Sequence, residues 1–183
     1  IVQDADARNT IIDVADASSI SVGDHVEIGW TITDDFIEVH GMTGTWQAFN
    51  GKYATFFRRQ VVSIDTSTVP HRITIDIPLR YTALVSNDAR IRRVSGLIHD
   101  TGIRDLGLAN ATNWESAWSH DRAHVLAFNH AYDAYIENVR SFNPPSAPTN
   151  GLGSEDHLQS GGVIIRFSKR VTVKNSDMRE AQH

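Results

Sequence analysis

In the stretch Arg72-Ile-Thr-Ile-Asp-Ile77 an isoleucine falls at every second position, so all three share one face, as a half-buried strand requires. Pro70 and Pro78 bracket it. Residues 54–65 alternate apolar and polar in the same way, and 10–14 and 25–28 read as two further short strands. The linker between those two carries a Gly23-Asp24 turn signal. No segment of the first half shows a helical period, so residues 1–92 read as a small β unit. Residues 29–53 break the pattern. They hold Trp30, Asp34, Asp35, Phe36, His40, Trp46, Phe49 and Tyr53 and read as one long aromatic, acid-bearing loop. Long ordered loops are often functional. The competing reading is that the rings cover an open end of the β core, since large aromatic side chains most often serve packing.

The second half, residues 93–183, repeats. Ala134–Phe142 (Ala-Tyr-Ile-Glu-Asn-Val-Arg-Ser-Phe) has a near-copy at Val171–Met178 (Val-Thr-Val-Lys-Asn-Ser-Asp-Met) and a weaker one at Thr101–Leu108. Aligning them superposes Asp105, Asn138 and Asn175, at spacings of 138 − 105 = 33 and 175 − 138 = 37 residues. Val125–Phe128 and Val163–Phe167 precede the last two copies as further strands. A strand of about five residues cannot bury a face alone; stacking successive coils at about 4.8 Å does so and pairs the backbone. Ile103, Ala134, Ile136, Val139, Val171 and Val173 are then expected inward. Arg104, Tyr135, Glu137, Arg140, Thr172 and Lys174 are expected outward. Asn tolerates left-handed backbone at a corner, and its amide can bond the same group one coil away in an internal ladder. Asp105 is the weaker member, because an ionised carboxylate cannot donate. An antiparallel sandwich is the alternative, but its strands come at shorter, more even spacing of about 8 to 12 residues.

On Ile-Glu-Asn-Val-Arg-Ser-Phe (136–142) and Val-Lys-Asn-Ser-Asp-Met (173–178), residues 94–183 resemble the right-handed parallel β-helix proteins of the pectate lyase-like superfamily. Ile20–Ile28 and Ile73–Leu79 look like the lead-in of some members. The resemblance implies an all-β fold: a right-handed parallel β-helix, or solenoid, preceded by a small β unit. Only about three coils are visible and no capping helix follows them, so the expectation is an incomplete solenoid, continued by further chain or completed by another chain. The superfamily holds polysaccharide lyases, glycoside hydrolases, epimerases, esterases and phage tailspikes, so the fold alone decides little about function. No family active-site motif matches residue by residue.

Composition narrows the classes. With 183 residues, 40% of them hydrophobic, the chain can bury a core. A net charge of −5 disfavours nucleic acid as a partner, although a local basic patch leaves anionic ligands open. There are no cysteines, which removes disulfide scaffolds and Cys-based zinc sites and is compatible with bacterial export. No apolar run approaches a membrane span. The expected location is secreted, periplasmic or cell-surface. There is no Gly-rich phosphate loop and no Gly-x-Ser-x-Gly nucleophile motif.

Register places two loops side by side, residues 109–123 and 143–161. Each ends in an acid–base cluster: His120-Asp121-Arg122 with His124, and Glu155-Asp156-His157. A lyase acting on uronic acids needs a cation near the carboxylate and a base for the C5 proton. Arg122 or Arg166 is the candidate cation; His120, His124, His157 or an outward Lys169 is the candidate base. A glycosidase needs one protonated and one ionised carboxyl, from Asp121, Glu155 and Asp156. Trp114 and Trp118 are candidate sugar-stacking platforms, with Lys169 as a further substrate contact. Gln182 and His183 are expected near such a site. The competing reading is that these loop charges are solvated surface pairs. No fixed zinc spacing occurs, so no metal or cofactor is expected, beyond a calcium ion conceivable at Glu155 and Asp156. The two functions in play are a lyase or glycoside hydrolase acting on an extracellular acidic polysaccharide, and a non-catalytic glycan-binding or assembly module of tailspike or adhesin type. The sugar and the oligomeric state are not legible.

Overall fold

The alternation of the first half is built as an antiparallel sheet. The computed structural model describes residues 1–183, which divide into two units, Ile1–Ser95 and Gly96–His183. In unit 1 the strands are β1 (Ile11–Val14), β2 (His25–Thr31), β3 (Tyr53–Asp65), β4 (His71–Ile75) and β5 (Arg90–Arg93), in the order β1-β4-β3-β2-β5. Every pair is antiparallel. Ile12, Val26, Ile28, Val61, Ile73 and Ile75 form the inner face. Ile77 does not join them: β4 ends at Ile75, and the Arg59 guanidinium donates to the carbonyls of Ile77 (2.7 Å) and Pro78 (2.9 Å) where the chain leaves the sheet.

The stretch expected as one long loop is mostly ordered structure. β2 runs on to Thr31, and the Thr33 hydroxyl accepts the Phe36 N–H (3.2 Å) to open helix α1 (Asp34–Val39). A six-residue helix is too short to show a period; it forms because it buries Phe36 and Ile37. Trp30 is fully buried, stacked on Phe56 at 4.2 Å with Phe36 edge-on at 5.9 Å, and Phe36 leads on to Trp46 and His40. The rings close the core, so packing is their main role. Gly29 allows that closure. A Cβ there would stand 2.2 Å from the Ala54 carbonyl, at the register shift between β2 and β3.

Unit 2 is built of parallel pairs. Its strands are β6 (Ile98–His99), β7 (Gly102–Leu108), β8 (Leu126–Asn129), β9 (Ala131–Ser141), β10 (Val163–Arg166) and β11 (Lys169–Lys174), with the short helix α2 (Trp114–Ala117) in the first long loop. Both β7 and β11 pair in parallel with β9, so Ile103 and Val173 both align with Ile136; β10 pairs in parallel with β8. Residues 33 and 37 positions apart are therefore neighbours, as the repeat requires. Asp105, Asn138 and Asn175 all adopt left-handed backbone (φ 56, 51 and 51). Asn138 Nδ2 donates to Asp105 Oδ1 at 2.7 Å, so the acid serves as acceptor and the amide as donor. This ladder is exposed rather than internal.

Two further left-handed corners repeat without an Asn to mark them. Asp133 and Arg170 (φ 50 and 52) form an ion pair, with Arg170 Nη2 to Asp133 Oδ2 at 2.6 Å. His130 and Phe167 (φ 56 and 48) stack their rings at 5.2 Å. Between corners Gly102 lies against the Tyr135 ring, where a Cβ would meet ring carbons at 2.3 Å. Ala131, Ala134, Ile136 and Val139 are buried, and Ile103 and Val171 pack on them half-buried. Val173 stays 46% exposed and Leu106 43%. Each sits on a strand flanking β9, so a neighbour covers it on one side only.

Candidate functional site

The two long loops of unit 2 do lie against each other, but amides rather than acid–base clusters join them. The Asn110 and Ala111 N–H groups donate to the His157 carbonyl (3.0 and 3.1 Å). Asn110 Oδ1 accepts the Gln159 N–H (3.0 Å), and Asn110 Nδ2 donates to the Ala123 carbonyl (3.1 Å). The buried Gln159 side chain accepts from the Ala123 N–H (2.7 Å) and donates to the Ala117 carbonyl (3.1 Å). Gln182, also buried, donates to the Thr112 carbonyl (2.6 Å) and to Asp156 Oδ2 (2.9 Å). Gln182, expected near the site, is part of this clasp, whereas Asn110 and Gln159 were not read as site residues; an amide gives no charge signal in sequence, and only the fold shows which ones lock loops.

The expected site residues differ in exposure and partners. His120, Asp121 and Arg122 are exposed. His124 is half-buried and its Nδ1 donates to the Gly161 carbonyl at 2.8 Å. Glu155 is exposed whereas its neighbour Asp156 is only 1% exposed. No group of three or more His, Cys, Asp or Glu side chains is placed to hold a metal ion. Arg166 is exposed at the end of β10. Lys169 does not point outward: it shares the strand parity of Val171 and is 8% exposed. Trp118 is 57% exposed, but it already stacks on His183 at 4.5 Å and meets Trp114 edge-on at 5.7 Å. His183 Nε2 contacts the Ala117 carbonyl.

Asp156 is the most perturbed of these groups. Burial pushes its carboxyl above the usual range, and the Glu180 charge pushes the same way; the Gln182 N–H and His157 oppose the shift. Its Oδ1 has no hydrogen-bond partner, and neither has the nearby Thr112 hydroxyl. His157 faces elsewhere. Its Nδ1 lies 3.0 Å from the Ser141 hydroxyl, which itself accepts the Arg179 N–H at 2.8 Å. The backbone therefore holds the serine, and the serine holds the imidazole.

A cleft of about 770 Å³ lies on the outward face of the Asp105–Asn138–Asn175 corner. Its cations are Arg104, Arg140 and Arg179, and its carboxylates Asp105, Glu137 and Asp177. Register explains the set. Arg104, Glu137 and Lys174 align across the coils, as do Gly107, Arg140 and Asp177. Glu137 is taken by Lys174 (2.9 Å), and Asp177 pairs with Arg179. Asp177 is held below the usual carboxylate range, first by the Arg179 hydrogen bond and charge and then by the charges of Arg140 and His157. Arg140 is exposed and has no ion-pair partner of its own, so its guanidinium is free to receive an anion. The sequence holds part of this signal: Arg104, Glu137 and Arg140 are outward positions of the repeat and Asp105 its corner, but none of them was read as a site residue.

No helix is long and apolar enough to cross a membrane. No protein-family model matches the chain, and no curated protein matches it. Solved structures do. The tailspike gp61 of Pseudomonas phage phi297 superposes with a TM-score of 0.53 at 12% identity, covering 98% of this chain and 30% of that one. The tailspike gp49 of Pseudomonas phage LKA1 gives 0.47 at 15%, and the gp54 tailspike of Acinetobacter baumannii bacteriophage AP22, solved in complex with A. baumannii capsular saccharide, gives 0.47 at 14%. Each of these two is covered over 33% of its length. This chain thus spans about a third of the proteins it is similar to, and the likeness to gp61 is one of fold.

Proposed function

We propose that unit 2 is a segment of a right-handed parallel β-helix that binds an extracellular acidic polysaccharide along its corner cleft. The observation that carries this is the cleft itself: an open groove running across stacked coils, with the unpaired Arg140 among carboxylates and the amides of Asn138 and Asn175. A polyuronate supplies what those groups want. Its carboxylates suit the free guanidinium, and its hydroxyls can donate to Asp105 and Glu137 or bond the amides. The fold likeness to a phage tailspike, a class typically built on parallel β-helices, supports the same reading, as does the saccharide complex of one neighbour. The protein acts outside the cell on this view, where such polymers are found.

A catalytic reading is favoured by one specific feature, the His157 imidazole, which lies 3.0 Å from the Ser141 hydroxyl that also accepts the Arg179 backbone N–H, and whose charge acts on Asp177 of the cleft wall. An imidazole can take the C5 proton of a uronate while a guanidinium stabilises the enolate-like charge, which is lyase chemistry. Asp156 offers the raised carboxyl that a hydrolase acid needs, but it is buried against Gln182 and is only 1% exposed, so a glycosidic oxygen cannot reach it as it stands. The test is a panel of neutral and uronic-acid polysaccharides incubated with the intact chain. Retention of the uronic polymers alone supports the binding reading. Ultraviolet-absorbing unsaturated uronate products would add lyase activity, and new reducing ends without them would indicate hydrolysis. Equal indifference to every polymer contradicts the proposal.

A further inference from the structure

Unit 1 holds a second concavity of a different kind. It is half-open, about 350 Å³ in volume, and mainly apolar, with Phe36, Val39, Tyr81 and Leu84 in its walls. That is the size and character of a small-molecule pocket rather than of a polymer groove. The Phe36 and His40 rings lie 4.1 Å apart, and Tyr81 meets His40 edge-on at 5.1 Å, so the aromatic surface is pre-formed. His40 Nδ1 lies 2.7 Å from the Phe36 carbonyl, which can only accept; the ring must donate there, and when neutral it offers Nε2 as an acceptor.

Two charged side chains complete the lining. Arg80 lies over the Tyr81 ring at 5.8 Å and has no carboxylate partner, and Asp35 has no hydrogen-bond partner. A free guanidinium selects a planar anion by paired N–H bonds. A free carboxylate accepts from hydroxyls, and an aromatic wall packs against C–H groups. We infer that this cavity binds a single hexuronic acid residue, its carboxylate on Arg80, its hydroxyls on Asp35 and His40 Nε2, and its ring against Tyr81 and Phe36. The inference rests on the residues of this cavity and stands whether or not the cleft of unit 2 binds a polymer.

The test is a titration of the full chain with D-glucuronate and, separately, with D-glucose, followed through backbone amide shifts by NMR. Glucuronate is expected to move the amides of residues 35–40 and 80–87, and glucose to bind about tenfold more weakly or less, for want of the paired ionic hydrogen bonds. Arg80→Gln should erase the preference between the two sugars. An amide pattern unchanged across the β strands of unit 1 shows that the variant is folded. Absence of shifts in those two segments overturns the inference. So does equal binding of the two sugars, or an Arg80→Gln variant that still prefers glucuronate.

Discussion

The two units solve the burial problem in different ways. Unit 1 wraps a five-stranded antiparallel sheet and a short helix around Trp30, and its core runs from Ala5 to Ala89. Unit 2 buries a thin column, Phe128, Ala131, Ala134, Ile136 and Val139, and leaves Leu106 and Val173 largely open on the strands that flank β9. A sheet that folds over itself covers its own apolar face. A coil relies on the coil beside it, so the core is complete only at the central strand. The same contrast holds at the surface. The repeat that makes the thin core also stacks outward charges into an open cleft, whereas the closed core of unit 1 leaves a small aromatic pocket.

The sharpest way to break this comparison is a charge at each core. Ile136→Asp puts a carboxylate in the middle of the thin column, with no cation to meet it. We expect a loss of more than about 4 kcal/mol and collapse of the unit 2 amide pattern by NMR. Trp30→Ala should cost about 3 to 5 kcal/mol by denaturant titration. If Ile136→Asp melts like the parent, the column is not a core and the stacking account fails.

A smaller effect is expected at the corner ladder. Asn138→Asp removes the donor to Asp105 and sets two carboxylates together, costing about 1 kcal/mol at neutral pH at this exposed site. The deficit should shrink as pH falls through the carboxylate range, because one protonated acid can donate to the other. A pH-independent deficit would mean that the amide serves only the left-handed turn.

Asp156 gives a pH test of the loop clasp. Its folded carboxyl titrates above its unfolded value, so the folded state holds the extra proton between the two. Stability from this group is therefore greatest below the unfolded value and falls as pH rises through the folded one. Asp156→Asn keeps an acceptor for Gln182 and should flatten that part of the stability profile, with little change at low pH. An unaltered slope in the variant would assign the pH dependence elsewhere.

The framework of unit 2 was legible because Asp105, Asn138 and Asn175 carry side chains that tolerate one rare backbone conformation, and a rare requirement leaves a mark in sequence. At the Asp133–Arg170 and His130–Phe167 corners the second member, Arg170 or Phe167, adopts the same conformation with no such mark, facing the coil beside it through an ion pair or a ring stack. Helix α1 was missed for a similar reason, since it exists by burying Phe36 and Ile37 in the Trp30 cluster. The clusters at 120–124 and 155–157 were read as one acid–base surface because register stacks their loops, but register does not say which way each side chain turns. Asp156 and His157 turn to opposite partners, Gln182 and Ser141, and Arg140 was passed over because an outward arginine on a strand looks like any solvated one.

The central claim is that the corner cleft of unit 2 receives a polyanionic glycan through Arg140. Equilibrium binding of a purified polyuronate to the parent chain and to Arg140→Gln, at low and at high salt, tests it most directly. Arg140→Gln should leave stability within about 0.5 kcal/mol, as for an exposed residue outside the core. It should weaken binding about tenfold at low salt and much less at high salt, since screening removes most of what the guanidinium contributes. Identical affinities for parent and variant at low salt would contradict the account.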